Sequence, residues 1–423
     1  MKQKIYNAYV DILKEELLPA MGCTEPIAVA YAGALARKAL GALPERVELC
    51  VSGNIIKNVK SVIVPHTGGR KGLKVAVAVG LCCGDPEAEL EVISGVTEQQ
   101  LRALDAYLEQ VQVQIIESTA NCPFDIQVTA HAGNDTAYAR IIGHHTNVVS
   151  LKKNDTVLLE VPFDDDVVQA PENRKLLSVE NIVKFADEVK IEDVQEVLQR
   201  QIDYNMAIAQ AGMDGSYGAT IGKILLKSYG NCIQNRAKAW AAAGSDARMC
   251  GCELPVVINS GSGNQGITVS VPLIVYAREL GSSDEQLYRA LVLSNLVAIH
   301  QKTGIGRLSA FCGAVCAGAA AGAGIAYLDG GGYKEACHAV VNALSIVAGM
   351  VCDGAKPSCA GKIAFSVNAG ILGYVMYRDG QQFYGGDGIV KKGVENTIDS
   401  IARLGRDGMR ATNDEIIRIM LGS

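Results

Sequence analysis

Residues 308–328, LSAFCGAVCAGAAAGAGIAYL, form an uncharged stretch made mostly of alanine and glycine. Its length is close to that of a membrane span, but Ala and Gly drive membrane insertion only weakly compared with Leu and Phe. We therefore predict a helix buried inside a soluble protein and favour it over a membrane span. Because such a helix carries only small side chains, its neighbours must approach closely with their backbones.

The preference for small residues extends over the whole chain. Of 423 residues, 45 are glycine and only 5% are aromatic, so the core must be built largely from Ala, Val, Ile, Leu and Gly. The net charge of −6, without a run of Lys or Arg, argues against a nucleic-acid partner. The first residues carry charges throughout, which is typical of an amphipathic helix and not of a signal peptide. We expect a cytoplasmic protein.

The pattern of apolar residues predicts an α+β fold in two domains. Residues 1–40 are expected to form helices that pack on the helical domain. Residues 45–165 alternate as strands with helical patches between them and predict a smaller mixed α/β domain. The acidic segment 162–175 contains two prolines and is a linker candidate. Residues 175–423 predict a large all-helical catalytic domain.

Several stretches of the mixed domain carry this prediction. KGLKVAVAVGLCCG predicts a helix that ends at Gly84. The strand-like stretches are RVELCVSG, QVQIIES, FDIQVTAHAG, TAYARIIGHH and TNVVSLKK.

Thirteen cysteines are present, and most are expected to be small buried hydrophobes. Cys352 and Cys359 bracket the loop CDGAKPSC, in which Pro357 interrupts any helix, so the two thiols can converge. Cys312 lies upstream, and Cys316 follows it one helical turn later. Three thiolates suit an iron–sulfur cluster with one open iron. By spacing alone, three core cysteines are the commoner explanation, and the choice between Cys312 and Cys316 stays open.

The stretch INSGSGNQG, residues 258–266, is too small and polar for a core. Its glycines allow close backbone approach, and it precedes a predicted helix. Such a loop can bind a carboxylate or phosphate. We therefore expect Ser260, Gly261, Asn264 and Gln265 to bind substrate, although an ordinary polar loop with a helix cap is the alternative.

The stretch VPHTGGRKG, residues 64–72, has a similar build, with a strand-like run and two glycines before a helix. A histidine beside a Gly-Gly turn is a candidate catalytic residue. We predict that His66 acts in catalysis and that Thr67 and Gly68 bind substrate. These residues would put the active site between the two domains.

The stretch AMGCTEP, residues 20–26, interrupts the N-terminal helical pattern at Gly22. Cys23 or Thr24 would then cap the next helix. Because a helix N-terminus lowers the pKa of a thiol, Cys23 is the candidate for a reactive cysteine that is not a metal ligand. Thr24 and Glu25 are expected to bind substrate. The alternative is a capping loop with an incidental cysteine.

Taken together, these motifs resemble the L-cysteine desulfidase family, which is related to the α chain of the iron–sulfur L-serine dehydratases. The matching stretches are MGCTEPIA, SGNIIKNV, VPHTGGRKG, MDGSYG, LPVVINSGSGNQG, HQKTGIGRLSAFCGAV and MVCDGAKPSCAGK. The resemblance implies one [4Fe–4S] cluster per chain on Cys312, Cys352 and Cys359, with one iron open to substrate. It also implies that Cys23 is the family's reactive cysteine. The serine dehydratases carry a Ser/His motif in place of GCTEP, so the desulfidase branch is the closer fit.

The reaction implied by the resemblance converts L-cysteine to hydrogen sulfide, pyruvate and ammonia without pyridoxal phosphate. A base must take the Cα proton, and Cys23 or His66 could serve. The expected partner is a small amino-acid substrate, with no nucleic acid and no membrane, and a homodimer is left open. Three alternatives remain: an L-serine dehydratase with the same cluster, a cluster-free metabolite-binding relative, and a transporter component.

Overall fold

The computed structural model describes residues 1–120, 122–163, 171–306 and 308–422, apart from the side chain of residue 421. Of the predicted linker, residues 164–170 lie outside the described residues. The described chain combines one mixed sheet with many helices, so the predicted α+β class is confirmed.

The larger sheet has six strands in the order β3-β2-β4-β5-β6-β7, and a separate two-stranded sheet pairs β1 with β8. The strands are β1 (Pro19–Met21), β2 (Arg46–Val51), β3 (Gln112–Glu117), β4 (Asp125–Ala132), β5 (Asp135–Ile142), β6 (Val148–Lys153), β7 (Thr156–Glu160) and β8 (Pro255–Val257). Only β2 and β3 run parallel in the larger sheet. That pair needs a long crossover, which the intervening helices supply. The five predicted strands β2 to β6 are confirmed, whereas β7 was not predicted.

The α-helices in chain order are α1 (Gln3–Glu16), α2 (Thr24–Leu40), α3 (Gly53–Val59), α4 (Leu73–Cys83), α5 (Glu98–Gln110), α6 (Val179–Glu188), α7 (Gln195–Asp214), α8 (Ile221–Tyr229), α9 (Ile233–Met249), α10 (Gly263–Leu280), α11 (Asp284–Ile305), α12 (Gly313–Leu328), α13 (Tyr333–Val347), α14 (Cys359–Arg378), α15 (Val394–Arg403) and α16 (Arg410–Leu421). Shorter helical turns span Pro86–Glu91, Glu172–Leu176, Ile191–Asp193 and Leu404–Gly408. We call α2 to β7 the sheet part and α6 to α16 the helical part. The predicted end of α4 at Gly84 is confirmed.

The alanine- and glycine-rich stretch becomes α12, whose residues from Ala314 to Ala326 are all buried among α10, α11, α13 and α14. Its glycines let the backbones approach closely: a Cβ placed on Gly322 would lie 2.3 Å from the carbonyl oxygen of Gly370 on α14. The prediction of a buried core helix is therefore confirmed. Among the described residues, α14 is the helix long and apolar enough to cross a membrane, and 56% of its apolar window is buried inside the protein.

The two N-terminal helices lie in different parts of the molecule. Helix α1 packs on α11 and on the turn Glu172–Leu176, as expected for a helix on the helical part. Helix α2 instead packs on β4, β5 and α4. The expectation that residues 1–40 pack on the helical part thus fails for α2. The physical reason is that α2 is apolar over most of its surface and almost completely buried, so it can cover a sheet.

Candidate active site

One cavity lies where four helices begin and where the sheet part meets the helical part. The N-terminal ends of α2, α10, α12 and α14 all contribute to its wall, together with α3 and the turn after β5. Its volume is about 110 Å³. Because a single water needs roughly 10–15 Å³, this space suits a small molecule. Four helix N-termini also make the cavity attractive to anions.

The chain brings Cys312 and Cys352 side by side through a short antiparallel contact. The N–H of Cys312 donates to the carbonyl of Met350 at 3.1 Å, and the N–H of Cys352 donates to the carbonyl of Ala310 at 2.6 Å. Cys359 opens α14, and all three thiols line the cavity. Cys316 is fully buried on α12 and lies outside the lining, so the fold separates it from Cys312.

The three cavity thiols fit the donor set of an iron–sulfur cluster. They are free cysteines, and Cys312 and Cys359 stand at helix N-termini whose dipoles favour thiolates. Burial, followed by the charge of Cys352, raises the pKa of Cys312 to about 12, and burial raises the pKa of Cys359. Such protein thiols need a metal to displace their protons. Within the described residues, no three His, Cys, Asp or Glu side chains are close enough to hold one metal ion.

The four predicted residues of loop 258–266 all line the cavity. Ser260 and Gly261 adopt left-handed backbone angles, with φ of 51° and 77°, so the chain turns sharply before α10. The side-chain oxygens of Asn264 and Gln265 are buried and have no hydrogen-bond partner among the described residues. Because an unpaired buried polar atom is unfavourable, these two oxygens are available to accept hydrogen bonds from a donor group in the cavity.

Cys23 is the N-cap residue of α2 and also lines the cavity. Its Sγ donates to Oε2 of Glu25 at 3.1 Å. Burial, followed by the charge of Glu25, raises the pKa of Cys23 well above its usual value, although the charge of Arg248 opposes this. The prediction that the helix N-terminus lowers this pKa is therefore wrong. Desolvation and a neighbouring carboxylate outweigh the helix dipole at this position.

Glu25 is a buried carboxylate in the wall of the cavity. Its Oε1 accepts a hydrogen bond from Nδ2 of Asn58 at 3.0 Å. Burial alone would raise the pKa of Glu25, but the charge of His145 and the hydrogen bond from Cys23 outweigh it and lower the pKa. Thr24 does not line the cavity; its hydroxyl lies within hydrogen-bond distance of Glu25 and of the Gly261 carbonyl, so it links α2 to loop 258–266.

The predicted residues of loop 64–72 lie outside the cavity lining. The Thr67 hydroxyl donates to the carbonyl of Val64 at 2.6 Å, inside its own turn, and Gly68 continues this turn with φ of 64°. His66 faces Glu253, with 3.7 Å between Nδ1 and Oε2. The predicted roles of His66, Thr67 and Gly68 in the active site therefore stay predictions. The loop instead supports the Cys23 turn from behind, since its Pro65 occupies the place that a Cβ on residue 22 would take.

Several cavity residues were not singled out from the sequence. They are Lys57, Asn58, His145, Arg248, Lys302 and Lys362. Four of them, Lys57, Asn58, Lys302 and Lys362, belong to stretches that carry the family resemblance, but the sequence assigned no role to them. Nothing in the sequence around Arg248 distinguishes it, because only the fold brings the end of α9 to the cavity.

Two of these cations, Lys362 and Lys57, donate to backbone carbonyls of the cysteine loop, at Val351 and Cys352, as well as facing the cavity. Lys362 donates to the carbonyl of Val351 at 2.8 Å and forms an ion pair with Asp353. Nζ of Lys57 donates to Oδ1 of Asn413 at 2.8 Å, and burial lowers the pKa of Lys57.

A sequence model described as serine dehydratase alpha chain matches residues 87–418. The chain belongs to the serine dehydratase alpha chain family. The matched region contains the three cavity cysteines and loop 258–266, whereas the Cys23 turn precedes it. Membership indicates a lyase-type enzyme related to the iron–sulfur serine dehydratases.

Full-length relatives from several bacteria carry the name UPF0597 protein, which specifies no activity. The chain is 57% identical over 420 residues to one from Desulfitobacterium hafniense, with 99% of this chain and 98% of the relative covered. It is 46% identical to one from Treponema denticola, with 98% of each chain covered. It is 38% identical to one from Vibrio campbellii, with 98% of this chain and 99% of the relative covered.

Proposed function

We propose that the protein is an iron–sulfur-dependent L-cysteine desulfidase that converts L-cysteine to hydrogen sulfide, pyruvate and ammonia. The observation that carries this proposal is the convergence of three free thiols, a Cys23–Glu25 pair and loop 258–266 on one cavity. The Cys23 turn, GCTEP, matches the desulfidase branch and favours a sulfur substrate over an alcohol.

The proposed chemistry divides the cavity wall into three regions. A cluster held by Cys312, Cys352 and Cys359 would supply a soft Lewis acid toward the substrate's sulfur. On the α10 side, Ser260 and the first amides of the helix are suited to the substrate carboxylate. On the α2 side, Glu25 is suited to the substrate ammonium group.

Cys23 is our proposed base for the Cα proton. Its pKa is raised, so only the deprotonated fraction of this thiol, which grows as the pH rises, can serve as the base, while Glu25 stays a carboxylate. The thiolate would then accept the Cα proton, the usual role of a positioned base. His66 is the other candidate base, and its position outside the cavity lining favours Cys23.

The second candidate function is an L-serine dehydratase with the same cluster. The family description names serine dehydratase, and the three cysteines would serve either substrate equally well. A hydroxyl leaving group gains less from a soft site than a thiolate does. This difference makes the substrate comparison decisive.

The test uses full-length protein purified and reconstituted without oxygen, and without added pyridoxal phosphate. Iron and acid-labile sulfide are counted, and sulfide, pyruvate and ammonia are measured with L-cysteine and L-serine. We expect cluster-dependent turnover of cysteine with higher kcat/KM than serine. Higher kcat/KM for serine would establish the second candidate. A protein without iron or turnover would overturn both.

The ligand assignment is tested with matched alanine variants. Cys312→Ala, Cys352→Ala and Cys359→Ala should each lose most of the iron and all measurable turnover. Cys316→Ala is the matched control, since this buried thiol lies one helical turn from Cys312 and outside the cavity lining. Loss of iron from the control with retention in Cys312→Ala would show that the first ligand is wrong.

A further inference from the structure

Arg248 is a buried cation at the cavity, and no anion among the described residues pairs with it. It lies at the end of α9, its side chain lines the cavity, and the residue is only 4% exposed. Its Nε is buried and has no hydrogen-bond partner among the described residues. No carboxylate oxygen of the described residues lies within 4.0 Å of its guanidinium nitrogens. A buried guanidinium is unfavourable unless an anion pairs with it, so an anion that enters the cavity would meet an unpaired cation there.

The guanidinium lies against the first turn of α10. A Cβ on Gly263 would be 2.4 Å from Nε of Arg248, so glycine is required for this close approach. The preceding residue, Ser262, caps the helix by accepting a hydrogen bond from the N–H of Gln265. A guanidinium beside a helix N-terminus combines a forked donor, free backbone N–H groups and a favourable dipole. This combination is selective for a carboxylate or a phosphate.

The other groups on the wall are suited to the ammonium group and the sulfur of a small amino acid. Glu25 and the unpaired Oδ1 atoms of Asn58 and Asn264 are acceptors, which suit an ammonium group. At the other side of the first turn of α10, the amide of Gln265 packs against Gly313, the residue after Cys312. A carboxylate at Gly263 and a β-sulfur near Cys312 would therefore be separated by no more than one turn of α10.

We propose that Arg248 is the specificity-determining residue that binds the substrate's α-carboxylate and limits the enzyme to substrates with a free carboxylate. This inference rests on the proposed function for the identity of the substrate, but the carboxylate site itself can be tested without turnover. The competing explanation is charge balance, because Arg248 also lowers the pKa of Glu25 and Cys23 through its charge. The two explanations make opposite predictions for ligands that lack one charged group.

The experiment measures binding to the anaerobic holoenzyme by isothermal titration calorimetry. The probes are 3-mercaptopropionate, which keeps the carboxylate and thiol, and cysteamine, which keeps the ammonium and thiol. Arg248→Met should weaken 3-mercaptopropionate binding roughly 10- to 100-fold, as expected for losing a charged hydrogen bond, while changing cysteamine binding less than about twofold. Arg248→Lys should restore binding only in part, because lysine lacks the forked donor geometry.

The matched control is Arg236→Met on the same helix, whose guanidinium pairs with Glu279 at the surface. It should change neither affinity. Equal losses for both probes, or full restoration by Arg248→Lys, would overturn the proposal in favour of charge balance. Restoration of 3-mercaptopropionate binding in Arg248→Met by adding Glu25→Gln would overturn it as well.

Turnover then separates this inference from the proposed function. With L-cysteine, Arg248→Met should raise KM by about the same factor as the binding loss, with iron content unchanged. Selective loss of carboxylate binding in a protein that turns over no cysteine would support the carboxylate site and reject the proposed reaction. Normal cysteine turnover with unaltered KM in Arg248→Met would support the proposed reaction and reject the carboxylate site.

Discussion

Loops 64–72 and 258–266 are alike in sequence and different in use. Both lead from an extended segment into a helix through glycines, small polar residues and left-handed backbone angles. In loop 64–72 the hydroxyl of Thr67 is used inside the turn, and Arg70 forms an ion pair with Asp105. In loop 258–266 the side-chain oxygens of Asn264 and Gln265 are buried without partners at the cavity.

Loop 64–72 also contains a buried polar atom without a partner among the described residues, Nε2 of His66, but His66 lies outside the cavity lining. The difference between the loops is therefore that only loop 258–266 presents such atoms to the cavity. The Cys23 turn lies between the two loops and touches both. A Cβ on Gly22 would lie 2.1 Å from Cγ of Pro65, and the Thr24 hydroxyl lies 3.0 Å from the Gly261 carbonyl. We therefore expect effects on catalysis to be largest at this turn, smaller in loop 258–266 and smallest in loop 64–72.

The largest effect is expected for Cys23→Ala. Turnover of L-cysteine should fall by roughly two to four orders of magnitude, the usual contribution of a positioned base, while iron content and cysteine binding are retained. Cys250→Ala is the control, because this thiol lies close to the same apolar cluster but outside the cavity lining. Near-normal turnover in Cys23→Ala, or undiminished exchange of the substrate's Cα hydrogen with solvent, would contradict the role of Cys23.

A smaller loss is expected for Asn264→Ala in loop 258–266. Removing this unpaired side chain should lower kcat/KM for L-cysteine roughly 10- to 100-fold, because the substrate loses a buried hydrogen-bond partner. Steady-state kinetics on iron-matched preparations measure the change. Asn396→Ala, at an exposed position on α15, is the control and should leave kcat/KM unchanged. An unchanged value in Asn264→Ala would remove loop 258–266 from the substrate site.

A change in pH dependence is expected for Glu25→Gln. Burial and the Glu25 carboxylate raise the pKa of Cys23, so the thiolate forms only as the pH rises and kcat/KM should increase with pH. Removing the carboxylate lowers the pKa of Cys23, which should move this ascending limb to lower pH. The rate at which iodoacetamide alkylates Cys23 should shift in the same direction. If the ascending limb of the kcat/KM profile stays in place or moves to higher pH, the Glu25 carboxylate does not raise the pKa of Cys23.

The smallest effect is expected for His66→Asn in loop 64–72. Asparagine tolerates the left-handed backbone at this position, where φ is 53°, so the turn should persist. We expect kcat/KM to stay within about twofold of the parent at every pH. A loss greater than about tenfold, with iron content retained, would break the contrast between the two loops and return His66 to the catalytic residues.

Much of the fold could be predicted because local patterns agree with the final structure. Alternation of apolar residues indicated strands β2 to β6, and the uncharged small-residue stretch indicated the buried helix α12. Strand β7 was missed because both of its faces are exposed. Its apolar residues Leu158 and Leu159 are adjacent in sequence, so apolar and polar residues do not alternate along the strand. The position of α2 was missed because a helix that is apolar on all sides has no single apolar face to indicate which element it packs against.

The candidate site was predictable only in part. Cysteines at interrupted helices and a glycine-rich loop before a helix are visible in the sequence, and both line the cavity. Arg248 sits in an ordinary helix end, and Lys57 in a short helix whose pattern gives it no special role. These residues acquire their importance from neighbours that are distant in the chain, such as Asn413 for Lys57.

The sequence by itself determined which residue types were available: thiols at helix starts, small residues for close helix contacts, and a carboxylate two positions after Cys23. Only the tertiary structure decided which of them share a cavity and in which direction their pKa values shift. Cys23 has the helix N-terminus that the sequence predicts, yet burial beside Glu25 raises its pKa. The physical reason is that a helix end acts through local backbone dipoles, whereas desolvation and the field of neighbouring charges depend on everything that the fold packs around the group.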